Sequence, residues 1–126
     1  MKTRILFQWL AWLFVAGLAV QVFLAGLALF WNPAQWASHI GFSRVLIVFP
    51  VLLIVFAFVA RLPVSMRLRS VSLLGMIVML AVSANLPSTV GYLSALHPVI
   101  AVLLFLETVS IARKSGSHLK EAQPMA

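Results

Sequence analysis

Residues 5–35 read ILFQWLAWLFVAGLAVQVFLAGLALFWNPAQ, and this stretch decides the fold class. The run from Ile5 to Phe30 contains no charged side chain and only two glutamines. A helix of that length can cross the roughly 30 Å hydrocarbon layer of a bilayer. The run is longer than the apolar core of a signal peptide, which has about 7–15 residues. We therefore expect a retained transmembrane helix.

The segment Asn32-Pro33-Ala34-Gln35 separates the first span from the second. Asn at the N-cap, Pro at the first helical position and Gln three residues after the cap are typical of a helix start. Because this start follows the first span at once, the sequence predicts a tight hairpin.

The rest of the chain repeats the pattern of apolar spans joined by short polar segments. Pro50 predicts a kink in the second span. Ser94 is expected to cap the fourth span, with Pro98 in its first turn. The sequence thus predicts an all-α integral membrane protein, a four-helix up-down-up-down bundle over residues 1–113. Its spans are about 5–31, 33–60, 64–86 and 95–113, and a disordered cytoplasmic tail follows at 114–126.

The composition supports this class and excludes others. Hydrophobic residues make up 63% of the chain and charged residues 9%, with a mean hydropathy of +1.12, whereas a soluble domain needs more polar surface. The absence of cysteine excludes disulfides and thiolate metal sites. We expect no independent catalytic activity, because no Gly-rich phosphate loop, nucleophile elbow or paired carboxylates occur. The net charge of +7 does not indicate nucleic acid, since the basic residues flank apolar spans.

The distribution of Lys and Arg predicts the orientation in the bilayer. Neither 32–38 nor 87–94, the two segments on one side, contains a Lys or Arg. We therefore expect both termini in the cytoplasm of a bacterium, with the chain in the inner membrane. The basic residues at the cytoplasmic side are Lys2, Arg4, Arg61, Arg67, Arg69, Arg113, Lys114 and Lys120.

His39 and His97 are the main candidates for chemistry, because polar groups inside a membrane are costly and often functional. Helices two and four both enter from the outside, which places the two imidazoles at similar depth. These helices lie diagonally in such a bundle, roughly 11–14 Å apart for neighbours at 8–10 Å. We expect a haem b iron between the two rings. Two histidines supply only half of a tetrahedral zinc or copper site, and each alone fits an interfacial side chain bonded to water or a carbonyl.

Gln21 and Arg44 complete the predicted cofactor-binding set. Gln21 lies in a stripe of small residues on helix one, Gly17, Ala25 and Ala28, which would leave space for a flat macrocycle, although it could equally form a helix-packing hydrogen bond. Arg44 lies about 7.5 Å deeper than His39 and about 140° round the helix. It is interpreted either as a counter-ion for a propionate or a quinone oxygen, or as a partner of Gln21 or Glu107.

Three segments resemble a small uncharacterised family of bacterial four-helix membrane proteins, known only as a domain of unknown function. They are residues 21–27 (QVFLAGL), 36–41 (WASHIG) and 96–99 (LHPV). The histidines near the starts of helices two and four are more distantly similar to one half of haem A synthase, and the plan is similar to cytochrome b561-type bundles. That resemblance implies axial haem ligation by His39 and His97. The chain has one such half and no outer acidic residue, unlike the synthase.

Two functions follow as hypotheses. The first is a bis-histidine haem b protein that transfers electrons, with a quinone or a membrane complex as partner. The second is a non-catalytic accessory subunit that packs against a larger membrane complex. The lipid bilayer and an oligomer of the chain itself are further partners in either case. A small transporter is disfavoured, because no inverted repeat or pair of broken helices is found.

Overall fold

The computed structural model of the chain describes residues 1–121, with side chains as far as Ser117. These residues form helices and turns, and no strand occurs among them. Short 3₁₀ turns at Pro33–Gln35 and Ser88–Ala95 precede the second and last spans. The α-helices are α1 (Lys2–Phe30), α2 (Trp36–Leu46), α3 (Val48–Val59), α4 (Val64–Ala84) and α5 (Leu96–Glu121).

Four helical segments are long and apolar enough to cross a membrane, as the sequence predicts; they are Lys2–Phe30, Pro33–Val59, Val64–Ala84 and Ser88–Ser117. Helix α1 packs against α2, α3 and α5, and α4 packs against α3 and α5. Among the described elements, α2 and α5 do not contact each other, nor do α1 and α4. The second and last spans are therefore diagonal neighbours at the level of α2.

The bundle has two chemically different ends. We call the end formed by 31–35 and 85–95 the histidine end, because His39 and His97 lie within about three turns of it. The opposite end, formed by the first residues of α1, the connection 60–63 and the last turns of α5, is the arginine end.

The second span is broken at Ile47, between α2 and α3. Pro50 lies three residues beyond this point and has no N–H to donate to the Leu46 carbonyl. The helix is therefore interrupted three residues before the proline, where a kink caused by Pro50 is expected.

Residues near the helix ends explain where the second span begins and where α5 begins and ends. Asn32 Oδ1 accepts the Ala34 N–H at 2.9 Å, so Asn32 caps the start of the second span. The start of α5 at Leu96 is preceded by a 3₁₀ turn, and Pro98 lies in its first turn. Helix α5 continues past Arg113, the predicted end, because no helix-breaking residue follows it before Glu121 except Gly116. Residues 122–126 of the predicted disordered tail lie outside the described residues.

Buried side chains are concentrated at mid-height and toward the arginine end. Phe14 stacks on Phe49, with ring centroids 5.6 Å apart, and forms the centre of this packing. In the half nearest the histidine end, Ala28 and Ser83 are the buried ones among the described side chains. The helices are thus less tightly packed around the histidines than elsewhere. The remaining buried apolar residues are Phe7, Ala11, Leu18, Leu46, Leu53, Ala57, Leu62, Met66, Leu73, Leu104, Ile111 and Ala112.

Candidate cofactor site

His39 is held against α1 by Gln21 through both of its ring nitrogens. The His39 Nδ1 lies 3.1 Å from the Gln21 backbone oxygen, which can only accept, so Nδ1 carries the proton. The His39 Nε2 then has a lone pair and accepts from the Gln21 side-chain Nε2 at 3.2 Å. The same amide nitrogen donates to the His39 backbone oxygen at 3.0 Å.

Trp36 and the side-chain oxygen of Gln21 complete the surroundings of His39. The Trp36 ring packs edge-on to the imidazole, with centroids 5.4 Å apart, and limits its rotation. The Gln21 Oε1 is buried and has no hydrogen-bond partner among the described residues. A buried amide oxygen without a partner is costly, so the cluster has an unused acceptor facing its interior.

His97 is held against α4 in a related way. Its Nδ1 lies 3.1 Å from both the Leu80 backbone oxygen and Ser83 Oγ. Because Ser83 Oγ donates its own proton to the Leu80 oxygen at 2.9 Å, Nδ1 is the donor to both. The His97 Nε2 therefore carries the lone pair, and no described residue hydrogen-bonds to it.

The two imidazoles thus have the same arrangement in the two hairpins. Each donates Nδ1–H to a backbone carbonyl of the preceding helix, 18 residues upstream for His39 and 17 for His97. This arrangement fixes the ring and leaves Nε2 as the basic nitrogen, as in histidines that ligate metals. Among the described residues, no three or more His, Asp or Glu side chains are placed to hold a metal ion. His39 and His97 are therefore candidate nitrogen donors on two different helices, with no third ligand placed beside them among the described residues.

The small-residue stripe of α1 is used differently from the prediction. A Cβ at Gly17 would lie 2.7 Å from Leu46 Cδ2, so Gly17 allows α1 and α2 to approach closely. Gln21, one turn further, bonds His39. These two positions of the stripe pack against the second span and do not line an open cleft.

Arg44 does not join the histidines. Its side chain is exposed on α2, and it has no hydrogen bond or ion pair with any side chain described through Ser117. Glu107, one of its two predicted partners, instead pairs with Arg69 at 3.4 Å. Gln21, the other, is engaged with His39. The predicted pairing of Arg44 within the bundle is therefore wrong.

The side chains and carbonyl that hold His97 and Glu107 were not predicted from the sequence. Ser83 and the Leu80 carbonyl hold His97. Arg69 pairs with Glu107 and also donates a hydrogen bond to Ser110 Oγ at 2.9 Å. The contact of His97 could have been found from the first hairpin, in which Gln21 lies 18 residues before His39. The same spacing applied to His97 leads to the turn of α4 that contains Leu80.

A surface groove of about 290 Å³ lies near this site between α4 and α5. Apart from Ser83 its lining is apolar, and neither histidine lines it. Its lining residues are Val78, Met79, Val82, Ser83, Leu86, Leu93, Leu96 and Ile100.

Part of the chain matches a known protein family. Residues 21–86 match a family described as "Family of unknown function (DUF6220)". The match includes Gln21, His39, Arg44 and Ser83, and ends before His97. No curated protein and no solved structure matches the chain. The distant resemblance to haem A synthase and cytochrome b561 therefore stays a prediction.

Proposed function

The chain belongs to the DUF6220 family, whose function is unknown, and from the site geometry we propose that it is a membrane haem b protein. In this proposal His39 and His97 would hold the haem iron, which would supply one-electron redox chemistry, and the function is electron transfer. The observation that carries it is the shared anchoring of the two rings, in which a backbone carbonyl holds Nδ1–H and leaves Nε2 basic.

The proposal places the chain across the inner membrane of a bacterium, with the arginine end in the cytoplasm. The four apolar helices and the positive-inside rule support this placement, since eight of the nine Lys and Arg residues lie toward the arginine end in the sequence. The histidine end then faces outward, where an external electron donor or a quinone can approach.

The packing at the histidine end also supports the proposal. Helices α2 and α5 make no contact with each other, and the described side chains between the histidines and the end of the bundle are mostly only half-buried or exposed. In this proposal a planar ligand would lie between these diagonal helices, where few buried side chains would be displaced. Toward the arginine end the interlocked aromatic core would exclude it.

Gln21 sets a condition for ligation. Its amide occupies the His39 nitrogen that an iron would take, so the amide has to rotate away while the backbone carbonyl keeps the ring in place. When bound, haem supplies one-electron redox chemistry through iron held by two imidazoles.

The test is the reduced-minus-oxidised absorption spectrum of the full chain, purified in detergent from cells supplied with haem precursor. We expect the bands of a haem b, lost in His39→Ala and in His97→Ala and kept in His118→Ala, the matched control at the third histidine. A spectrum without haem bands in the wild-type chain, or bands that survive both replacements, would overturn the proposal.

A second candidate function, an accessory subunit of a larger membrane complex, is supported by a different observation. Arg44 is exposed on the outer surface of the bundle within an apolar span. A charge at that place is costly in lipid unless another molecule neutralises it. Under this candidate, the His39→Ala chain still co-purifies with its partner.

A further inference from the structure

One face of the second span is exposed along its whole length and combines small residues with a cation. Ala37, Gly41 and Arg44 follow at i, i+4 and i+7, which places them on one side of α2. All three are exposed, and a Cβ at Gly41 would meet nothing within 4 Å. Val48 and Val51 continue the same face into α3. We call these five residues the Arg44 face.

The depth of Arg44 makes its exposure costly. At 1.5 Å per residue it lies about 16 Å from Pro33 and about 22 Å from Val59, the two ends of its span. With a hydrocarbon layer of about 30 Å, this places the residue near mid-membrane. Arginines at such depth normally pair with an acidic group or line a polar cavity, and the described side chains offer Arg44 neither.

A second copy of the chain does not supply the missing acid. The chain has only two acidic residues, Glu107 and Glu121, and Glu107 already pairs with Arg69. Glu121 is the last residue of α5, further still toward the arginine end. In a second copy Glu107 is therefore already neutralised by Arg69, and Glu121 lies too far toward the arginine end to reach Arg44.

From these observations we propose that the Arg44 face binds a transmembrane helix of a different protein, one that carries an Asp or Glu near mid-membrane. Small residues at Ala37 and Gly41 allow a partner helix to approach the backbone closely. Close approach brings the two charges together inside the low-dielectric hydrocarbon layer, where their attraction is strong. This inference rests on the membrane placement proposed above and is independent of haem, because His39 points to the opposite side of α2, toward α1.

The test uses a defined probe in place of the unknown partner. The full chain, labelled with a donor fluorophore, is reconstituted in phosphatidylcholine vesicles with an acceptor-labelled leucine-rich transmembrane peptide that has one central Asp. The comparison peptide has Leu at that position. Vesicle flotation and resistance to carbonate extraction establish membrane insertion separately, so that a failure of placement is distinguished from a failure of docking.

We expect energy transfer to the Asp peptide to exceed that to the Leu peptide, and Arg44→Leu to weaken Asp-peptide binding about tenfold, as for one interhelical polar contact of 1–2 kcal/mol. Gly41→Ile should weaken it too, by keeping the backbones apart. Arg44→Asp should reverse the preference toward a peptide with a central Arg. Ser43→Ala, exposed on α2 but off this face, is the matched control and should bind normally.

Equal binding of the Asp and Leu peptides, or an Arg44→Leu chain that binds the Asp peptide as the wild type does, would overturn the proposal. Energy transfer between two copies of the chain that disappears in Arg44→Leu would also contradict it, since it would identify a second copy as the occupant. Circular dichroism and size-exclusion elution show whether each variant is folded. If Arg44→Leu does not fold, the pair of Arg44→Asp with the central-Arg peptide still tests the proposal.

Discussion

Replacing Gln21 by leucine is expected to tighten haem binding, although the side chain lies within the proposed site. The Gln21 amide donates to His39 Nε2 at 3.2 Å, and this bond would have to open before Nε2 could hold an iron. The bond that orients the ring, from His39 Nδ1 to the Gln21 oxygen at 3.1 Å, involves the backbone and is kept in the variant. Leucine therefore removes the competitor and leaves the orienting contact in place.

The size of the effect follows from the contact that is lost. Polar contacts between membrane helices contribute about 0.6 kcal/mol on average and about 1.7 kcal/mol at most. Removing one competing contact of that strength raises the affinity for haem about 3-fold to 20-fold. Loss of the buried Gln21 Oε1, which has no partner among the described residues, adds no cost.

The assay is a haemin titration of the haem-free chain in detergent, followed by the Soret absorbance. Gln8→Leu is the matched control, since Gln8 is the other glutamine of α1 and lies against Gly116 at the arginine end. Gln8→Leu should leave the haem affinity unchanged. In a His39→Ala background, Gln21→Leu should lose its effect. Weaker haem binding in Gln21→Leu than in Gln8→Leu would refute the reasoning and identify the amide as a haem contact.

Three further predictions concern the packing that supports the site, and unfolding in mixed micelles measures each of them. Phe14→Ala, at a fully buried ring stacked on Phe49, should lower the free energy of unfolding by about 3–5 kcal/mol; a loss below 1 kcal/mol would show that the stacked core is not formed. Gly17→Ala should destabilise by about 1–3 kcal/mol because its Cβ would lie 2.7 Å from the buried Leu46, whereas Gly26→Ala, which meets nothing within 4 Å, should not. Arg69→Met should cost only about 1 kcal/mol, because the Arg69–Glu107 pair is about a third exposed; a loss above 3 kcal/mol would identify the pair as a main element of stability.

The all-α class and the four apolar helices could be predicted because they depend on local properties. The length of an apolar run and a capping segment such as Asn32 to Gln35 act within a few residues. The break near Pro50 could be predicted for the same reason, since a missing N–H affects the carbonyl one turn back. The end of α5 could not be predicted, because the hydropathy falls gradually after Arg113 and gives no signal for where the helix stops.

The partners of the polar side chains were harder to predict, because they depend on helix rotation. A rotation of one residue moves a side chain by about 100°, and no local signal fixes it in a helix that is apolar on every side. Arg44 was interpreted either as a counter-ion for a bound ligand or as a partner of Gln21 or Glu107, and the structure places its side chain on the exposed surface, away from both residues. Gln21 was correctly considered for a packing hydrogen bond, but its partner, His39, was not identified.

The most direct measurement of the central claim is the electron paramagnetic resonance spectrum of the oxidised chain loaded with haem. Two imidazole ligands on one ferric iron give a low-spin signal, and the account predicts that signal in the wild-type chain. His39→Ala and His97→Ala should each convert it to a high-spin signal or lose the haem. A high-spin spectrum in the wild-type chain, or a low-spin spectrum that is unchanged in either variant, would contradict ligation by these two histidines.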